Sequence, residues 1–304
     1  GLVMAGLTGT GAGNVFWAQT TADQLGLEVD FCEQVHIGGC SAAGCVARAA
    51  MAIDAGLCNI AFLLFADTGR RENNTTERSY RREWIEPYGL MGPPGAFGLL
   101  SKRYEAQFGL DYEMLGKLAV TQRDHAVMNE NACEKLRKPI TIDDYMNSRM
   151  IADPIRLLDC VMPADGAAGL IMMSKAMAKK KGLTKTVIPI GYGERTNYGG
   201  AMNFVDPSLS GHKAAGEKAL KQAGITIKDV ASFHPYDDFI IATTQVKHCD
   251  HHGVIRENAV IAAVSLDEDA LHLLVDQHVA RGGGSIPHRD HARAEGTCTR
   301  GVQR

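Results

Sequence analysis

From Ile240 to Arg304 the chain contains no phenylalanine, tyrosine or tryptophan, although the residues before Ile240 hold all 9 Phe, 8 Tyr and 2 Trp. That stretch therefore differs in composition from the rest. No run of 18 apolar residues occurs, so the sign of a membrane-spanning helix is missing. The first residues, GLVMAGLTGTGAG, are glycine-rich rather than basic and then apolar, so they do not read as a secretory leader. A cytoplasmic location is expected. The 8 cysteines, at 32, 40, 45, 58, 133, 160, 249 and 298, form no CxxC pair and are expected to be reduced thiols. A net charge of −3 gives no reason to expect nucleic acid or an anionic membrane as partner. Gly9, Gly11 and Gly13 fit neither GxGxxG nor GxxxxGK[ST], so no nucleotide loop is expected. The histidines of HCDHH at 248–252 lack a second ligand pair, and no metal site is expected either.

At 304 residues the chain is long enough for two core-forming units. Its most informative stretch runs from Val29 to Asp67. A β-like run with Val29, Phe31 and Val35 leads into Gly38, Gly39 and Cys40, and an alanine-rich helix is expected over Ser41 to Ala55. After Gly56, the continuous apolar run Ile60 to Phe65 has the pattern of a strand buried on both faces of a parallel sheet. This is a βαβ unit with a thiol at its turn. A thiol at a helix N-terminus feels the positive end of the helix dipole, which favours thiolate, so Cys40 is a candidate nucleophile. Gly38 and Gly39 permit the tight turn and close substrate approach, and nearby N–H groups are candidate oxyanion donors. The alternative is a small packing residue, the reading given to Cys32, Cys45, Cys58 and Cys160.

Elsewhere, helices are expected over Asn14 to Leu25, Leu99 to Phe108, Met114 to Asn129, Lys175 to Lys181 and Gly211 to Ala223. Strands are expected over Ala168 to Met173, Thr186 to Tyr192 and Val230 to His234. Asp165 is expected to satisfy backbone donors at a turn.

Three stretches resemble the thiolase superfamily, and within it the sterol-carrier-protein-2 type. They are GGCSAAGCVARAAMAIDAG around Cys40, the segment from Ile140 to Ser174 with its DGAA, and QAGITIKDVASFHPYDDF from Gln222 to Phe239. The resemblance covers most of the chain up to about Ile241. It implies a layered α/β fold of two similar βαβ-containing halves with an inserted loop domain, incomplete at both ends. The implied boundaries are 1–185 for the N-terminal half, about 67–150 for its loop domain, 186–245 for the start of the second half, and 246–304 for an atypical tail such as a shifted reading frame would leave.

The resemblance also implies chemistry. Cys40 becomes the nucleophile toward acyl-CoA thioesters, with coenzyme A as substrate or product and no bound cofactor. Gly38, Gly39 and His234 are expected at the substrate. HPYDDF falls where relatives carry HDCF or YDxF, which places Tyr236 and Asp237 on the second catalytic loop. GGGSIPH makes His288 a candidate for the family's catalytic histidine, and Cys298 for its second cysteine. Arg70, Arg71, Arg78, Arg81, Arg82 and Arg103 either face coenzyme A phosphates or are solvated partners of nearby glutamates. The function expected is acyl transfer of thiolase type through Cys40; the alternatives are a retro-aldol lyase on a β-hydroxyacyl-CoA using Tyr236 and Asp237, and a non-catalytic subunit or inactive fragment. The implied partners are a second copy in a homodimer and a small OB-fold protein.

Overall fold

The computed structural model describes residues 1–5, 16–68, 86–90, 92–162, 164–195, 211–231, 234, 238–242 and 259–265. Strand β1 (Leu2–Ala5) lies parallel to both β2 (Cys32–Val35) and β3 (Ile60–Thr68). β3 also pairs antiparallel with β6 (Asp165–Met173) along its whole length, so the sheet order is β2-β1-β3-β6. The apolar run of β3 thus sits in a mixed sheet and not, as its pattern implied, a wholly parallel one. The antiparallel partner returns from a long insertion, which a local reading of β3 does not contain.

Period-two alternation explains how the sheet is covered. Leu2 and Met4 face one side, where helix α1 (Trp17–Gln24) brings Trp17, Ala18 and Ala22, and Phe62 and Leu64 join them. Val3 and Ala5 face the other side with Ala61 and Leu63. There helix α2 (Ser41–Asp54) packs Cys45, Ala49 and Ala52 against them. α2 also touches β7 (Val187–Glu194) and β8 (Ala259–Ser265), which form a separate antiparallel pair. A helix lying between two sheets needs small side chains on most of its surface, and SAAGCVARAAMA supplies them. Gly44 marks the tightest approach, since a Cβ there would lie 2.7 Å from Ile37 Cδ1 and 3.1 Å from Val35 Cγ1.

Between β3 and β6 lie α3 (Gly92–Phe108), α4 (Tyr112–Met128) and α5 (Ile142–Met146), with the short strands β4 (Met150–Ala152) and β5 (Ile155–Arg156). α3 starts a full two turns earlier than its amphipathic pattern indicated. Pro93 and Pro94 fall in its first turn, where a missing N–H breaks no helical bond. α5 is short but well anchored, because Thr141 and Asp144 form a reciprocal capping box. Asp165 is the first residue of β6, opposite Thr68, and not part of a turn before it.

After β6 come α6 (Lys175–Lys180), β7 and α7 (Gly211–Ala223). α7 lies close on β7, with Ala215 and Ala219 fully buried, because β7 presents Gly191 and Gly193. Among the described residues, Val230 to His234 contains no strand. The preceding residues form a 3-10 turn at Ile227–Asp229, closed by a Thr226–Asp229 capping box, which redirects the chain. β8 falls within 246–304, so part of that atypical stretch pairs with β7.

Candidate active site

The Cys40 turn is built by local hydrogen bonds. Gly38 has φ +76°, a left-handed conformation that suits glycine. Its carbonyl accepts from Ser41 Oγ at 2.6 Å and from the Ser41 N–H at 3.1 Å. Ser41 Oγ in turn accepts from the Ile37 N–H at 2.9 Å. Ser41 is buried and pins the turn from inside, whereas Gly38 and Gly39 are exposed. Cys40 is the N-cap of α2, half-buried, and its thiol donates to the Ile37 carbonyl at 3.1 Å and does not cap the helix. The thiol therefore stands beside the open N-terminus of a buried helix. Sequence reasoning missed Ser41, although a serine in the first turn after two glycines is the signal of a hydroxyl-closed turn.

Cys45, five residues on, is fully buried, and burial pushes its thiol up to about 12, with Glu33 adding to the shift. Cys58 and Cys133 are buried as well, while Cys32 and Cys160 are half-buried. Burial raises the Cys32 thiol above its ordinary value, and the Cys160 thiol to about 11. These four, with Cys45, are packing residues.

The end of the HPYDDF motif is firmly placed. Phe239 bridges Cys160, and the Val161 N–H donates to the Asp238 carbonyl at 2.8 Å. The Phe239 ring stacks on Phe97 with centroids 4.3 Å apart, and Ile240 and Ile241 are buried among α3, α4 and their neighbours. Below them Asp159 is buried, accepting from Tyr145 Oη at 2.8 Å and from the Arg156 N–H at 2.6 Å. Burial raises the Asp159 carboxyl despite those donors, and burial with the Asp159 charge raises the Tyr145 phenol. An open cleft of about 240 Å³ adjoins this point, lined in part by Gln122, Arg123, Asp159, Cys160, Met162 and Ile240. Cys40 does not line it.

His234 is exposed and does not lie on a strand. Tyr236, Asp237, His288, Cys298, the HCDHH cluster and the arginines at 70, 71, 78, 81 and 82 lie outside the described residues. Arg103 is described and exposed. Among the described residues no group of His, Cys, Asp and Glu could hold a metal ion, and no helix is long and apolar enough to cross a membrane.

No protein-family model matches the chain. Curated relatives do. Over 227 residues the chain is 30% identical to 17-hydroxy-3-oxo-4-pregnene-20-carboxyl-CoA lyase of Mycobacterium tuberculosis, covering 70% of this chain and 58% of the lyase. Over 162 residues it is 31% identical to an acetyl-CoA acetyltransferase of Methanocaldococcus jannaschii, covering 53% of this chain and 41% of that enzyme. Among solved structures the Ltp2-ChsH2(DUF35) aldolase superposes with a TM-score of 0.65 at 26% identity, over 81% of this chain and 65% of that one. The fold and these relatives define the class: the chain belongs to the thiolase superfamily. Within that superfamily it is also similar to sterol carrier protein 2 of Oryctolagus cuniculus, 32% identical over 109 residues, which cover 35% of this chain and 20% of that protein. It spans 58% of the length of the lyase.

Proposed function

We propose that the chain acts on coenzyme A thioesters and that its reaction is the retro-aldol cleavage of a β-hydroxyacyl-CoA. The observation that carries this reading is the match to a CoA lyase, which runs through 70% of the chain where the acetyltransferase match runs through 53%. In the reaction a base removes the β-hydroxyl proton and the Cα–Cβ bond breaks. Its electron pair moves onto Cα and the thioester carbonyl as an enolate. Cα then takes a proton, giving a carbonyl product and a shorter acyl-CoA. Tyr236 and Asp237 are the proposed proton carriers; they directly precede in sequence Asp238, whose carbonyl accepts from the Val161 N–H, and Phe239, which stacks on Phe97 of α3. N–H groups at the start of α2 suit the enolate oxygen, with Gly38 and Gly39 giving access and His234 at the substrate.

A second reading is acyl transfer. Its support is Cys40 itself, a half-buried thiol beside an open helix N-terminus and two exposed glycines. There the thiolate attacks the β-keto carbon of a β-ketoacyl-CoA, the Cα–Cβ bond breaks, and the shorter acyl-CoA leaves as an enolate that takes a proton at Cα. The acyl group on Cys40 passes to free CoA; the reverse sequence is the condensation. Replacing Cys40 by Ser separates the two when both a β-hydroxyacyl-CoA and a β-ketoacyl-CoA with free CoA are assayed. Retained cleavage supports the lyase, and loss of all turnover supports acyl transfer. The solved aldolase, Ltp2-ChsH2(DUF35), names a second component beside Ltp2, and a small partner protein is proposed here too. If wild type turns over neither substrate, alone or with such a partner, the chain is a non-catalytic subunit.

A further inference from the structure

Three elements converge on one guanidinium. Arg48, on α2, bonds Glu194 of β7 with both terminal nitrogens, Nη1 to Oε2 at 2.8 Å and Nη2 to Oε1 at 3.3 Å. Nη1 also donates to Tyr192 Oη at 3.1 Å, and Tyr192 Oη donates to Glu194 Oε2. Glu33 of β2 stands 3.9 Å from Nε. The pairing holds Glu194 below its ordinary range and raises both the Arg48 guanidinium and, chiefly through burial, the Tyr192 phenol.

The same guanidinium reaches back along its own helix. Nη1 lies 3.4 Å from the Gly44 carbonyl, and the Gly44 N–H donates to the Cys40 carbonyl at 3.2 Å. Gly44 is also where α2 presses on Ile37, whose carbonyl holds the Cys40 thiol. Among the described residues β7 shares no strand with the sheet beneath α2, and side-chain contacts join the helix to it. Small residues dominate this face of α2 and carry no directional bonds, whereas a two-pronged ion pair fixes both distance and rotation. β7 leads through α7 to the segment bearing His234, Asp238 and Phe239.

We propose that Arg48 is a positioning residue: with Glu194 and Tyr192 it clamps the helix carrying Cys40 to β7, and so sets the thiol against the part of the site that follows β7. This rests on the coenzyme A reading above. The test compares two reagents for Cys40, with modification located by mass spectrometry. Iodoacetamide needs only an accessible thiol, whereas bromoacetyl-CoA must also be held by the rest of the site. In Arg48→Ala the iodoacetamide rate stays within about twofold of wild type, while bromoacetyl-CoA labelling slows about tenfold or more, roughly the effect of a misplaced reacting group. Arg48→Lys, which keeps one ion pair, recovers part of the loss. Should Arg48→Ala fail to fold, Tyr192→Phe and Glu194→Gln loosen the same clamp and show the same split. If both reagents slow equally, or neither slows, Arg48 does not position the thiol. If wild-type Cys40 shows no preference for bromoacetyl-CoA over bromoacetamide, the coenzyme A reading falls first and takes this role with it.

Discussion

Cys40 and Cys45 lie five residues apart, about 1.4 helical turns, so they face different sides of α2. Cys40 is at the mouth of α2 beside two exposed glycines, whereas Cys45 faces Val3, Val35 and Leu63 in the core. With its thiol pushed up to about 12 and no exposed surface, Cys45 has neither thiolate nor access near neutral pH. Iodoacetamide at pH 7 to 8 is therefore expected to modify Cys40 and leave Cys45 untouched in the folded protein, as peptide mapping would read. Equal labelling of both would mean that α2 does not pack as described. The thiol's place at a helix start was legible because glycine pairs and small-residue helices are local signals. The Ser41 hydrogen bonds that shape the turn depend on φ at Gly38, which the residue types allow without requiring.

At the scale of elements, the contact of α7 with β7 is decided by the lack of side chains. A Cβ on Gly193 would overlap the Ala215 carbonyl, and one on Gly191 would lie 3.0 Å from Ala223 Cβ. Gly193→Ala must push the helix off its strand, and a loss of about 1–3 kcal/mol or more is expected, of the order of overpacking elsewhere. Gly166, on β6, is the control: nothing lies within 4 Å of its would-be Cβ, so Gly166→Ala is expected to be neutral within ~0.5 kcal/mol. Urea unfolding of the two variants reads the difference. The alanine spacing of α7 was open to sequence reasoning, since burial acts with the helical period, whereas β1 reads as LVMA, buried at every position, and its two faces are told apart only by what packs on each. The early start of α3 was not, because Pro-Pro reads as a breaker unless it is known to fall in a first turn. The 3-10 turn at Ile227–Asp229 was not legible either, since the Thr226–Asp229 box that closes it reads locally as part of a polar linker.

At the scale of the whole molecule, the Arg48–Glu194 pair gives stability a defined acid dependence. Glu194 is held below its ordinary value of 4.5, first by the Arg48 hydrogen bonds. Its folded state thus binds fewer protons than its unfolded state between the depressed value and 4.5. The contribution is complete above 4.5 and is lost as pH falls through the depressed value. Wild type is expected to melt above Glu194→Gln at pH 7, with the gap closing below pH 4.5. A gap that stays constant down to pH 3 would show that Glu194 does not titrate against Arg48. Sequence by itself determined the elements around Cys40 and their order, because dipole, glycine turn and apolar period all act over a few residues, while the family came from the resemblance of three whole stretches. Tertiary structure alone decided that β3 takes β6 as an antiparallel partner and that Phe239 docks on Phe97. It also decided that Arg48, an unremarked cation on an alanine-rich helix, meets Glu194 and Tyr192. Those contacts join residues far apart in the chain, and side-chain packing in three dimensions, rather than local pattern, selects them.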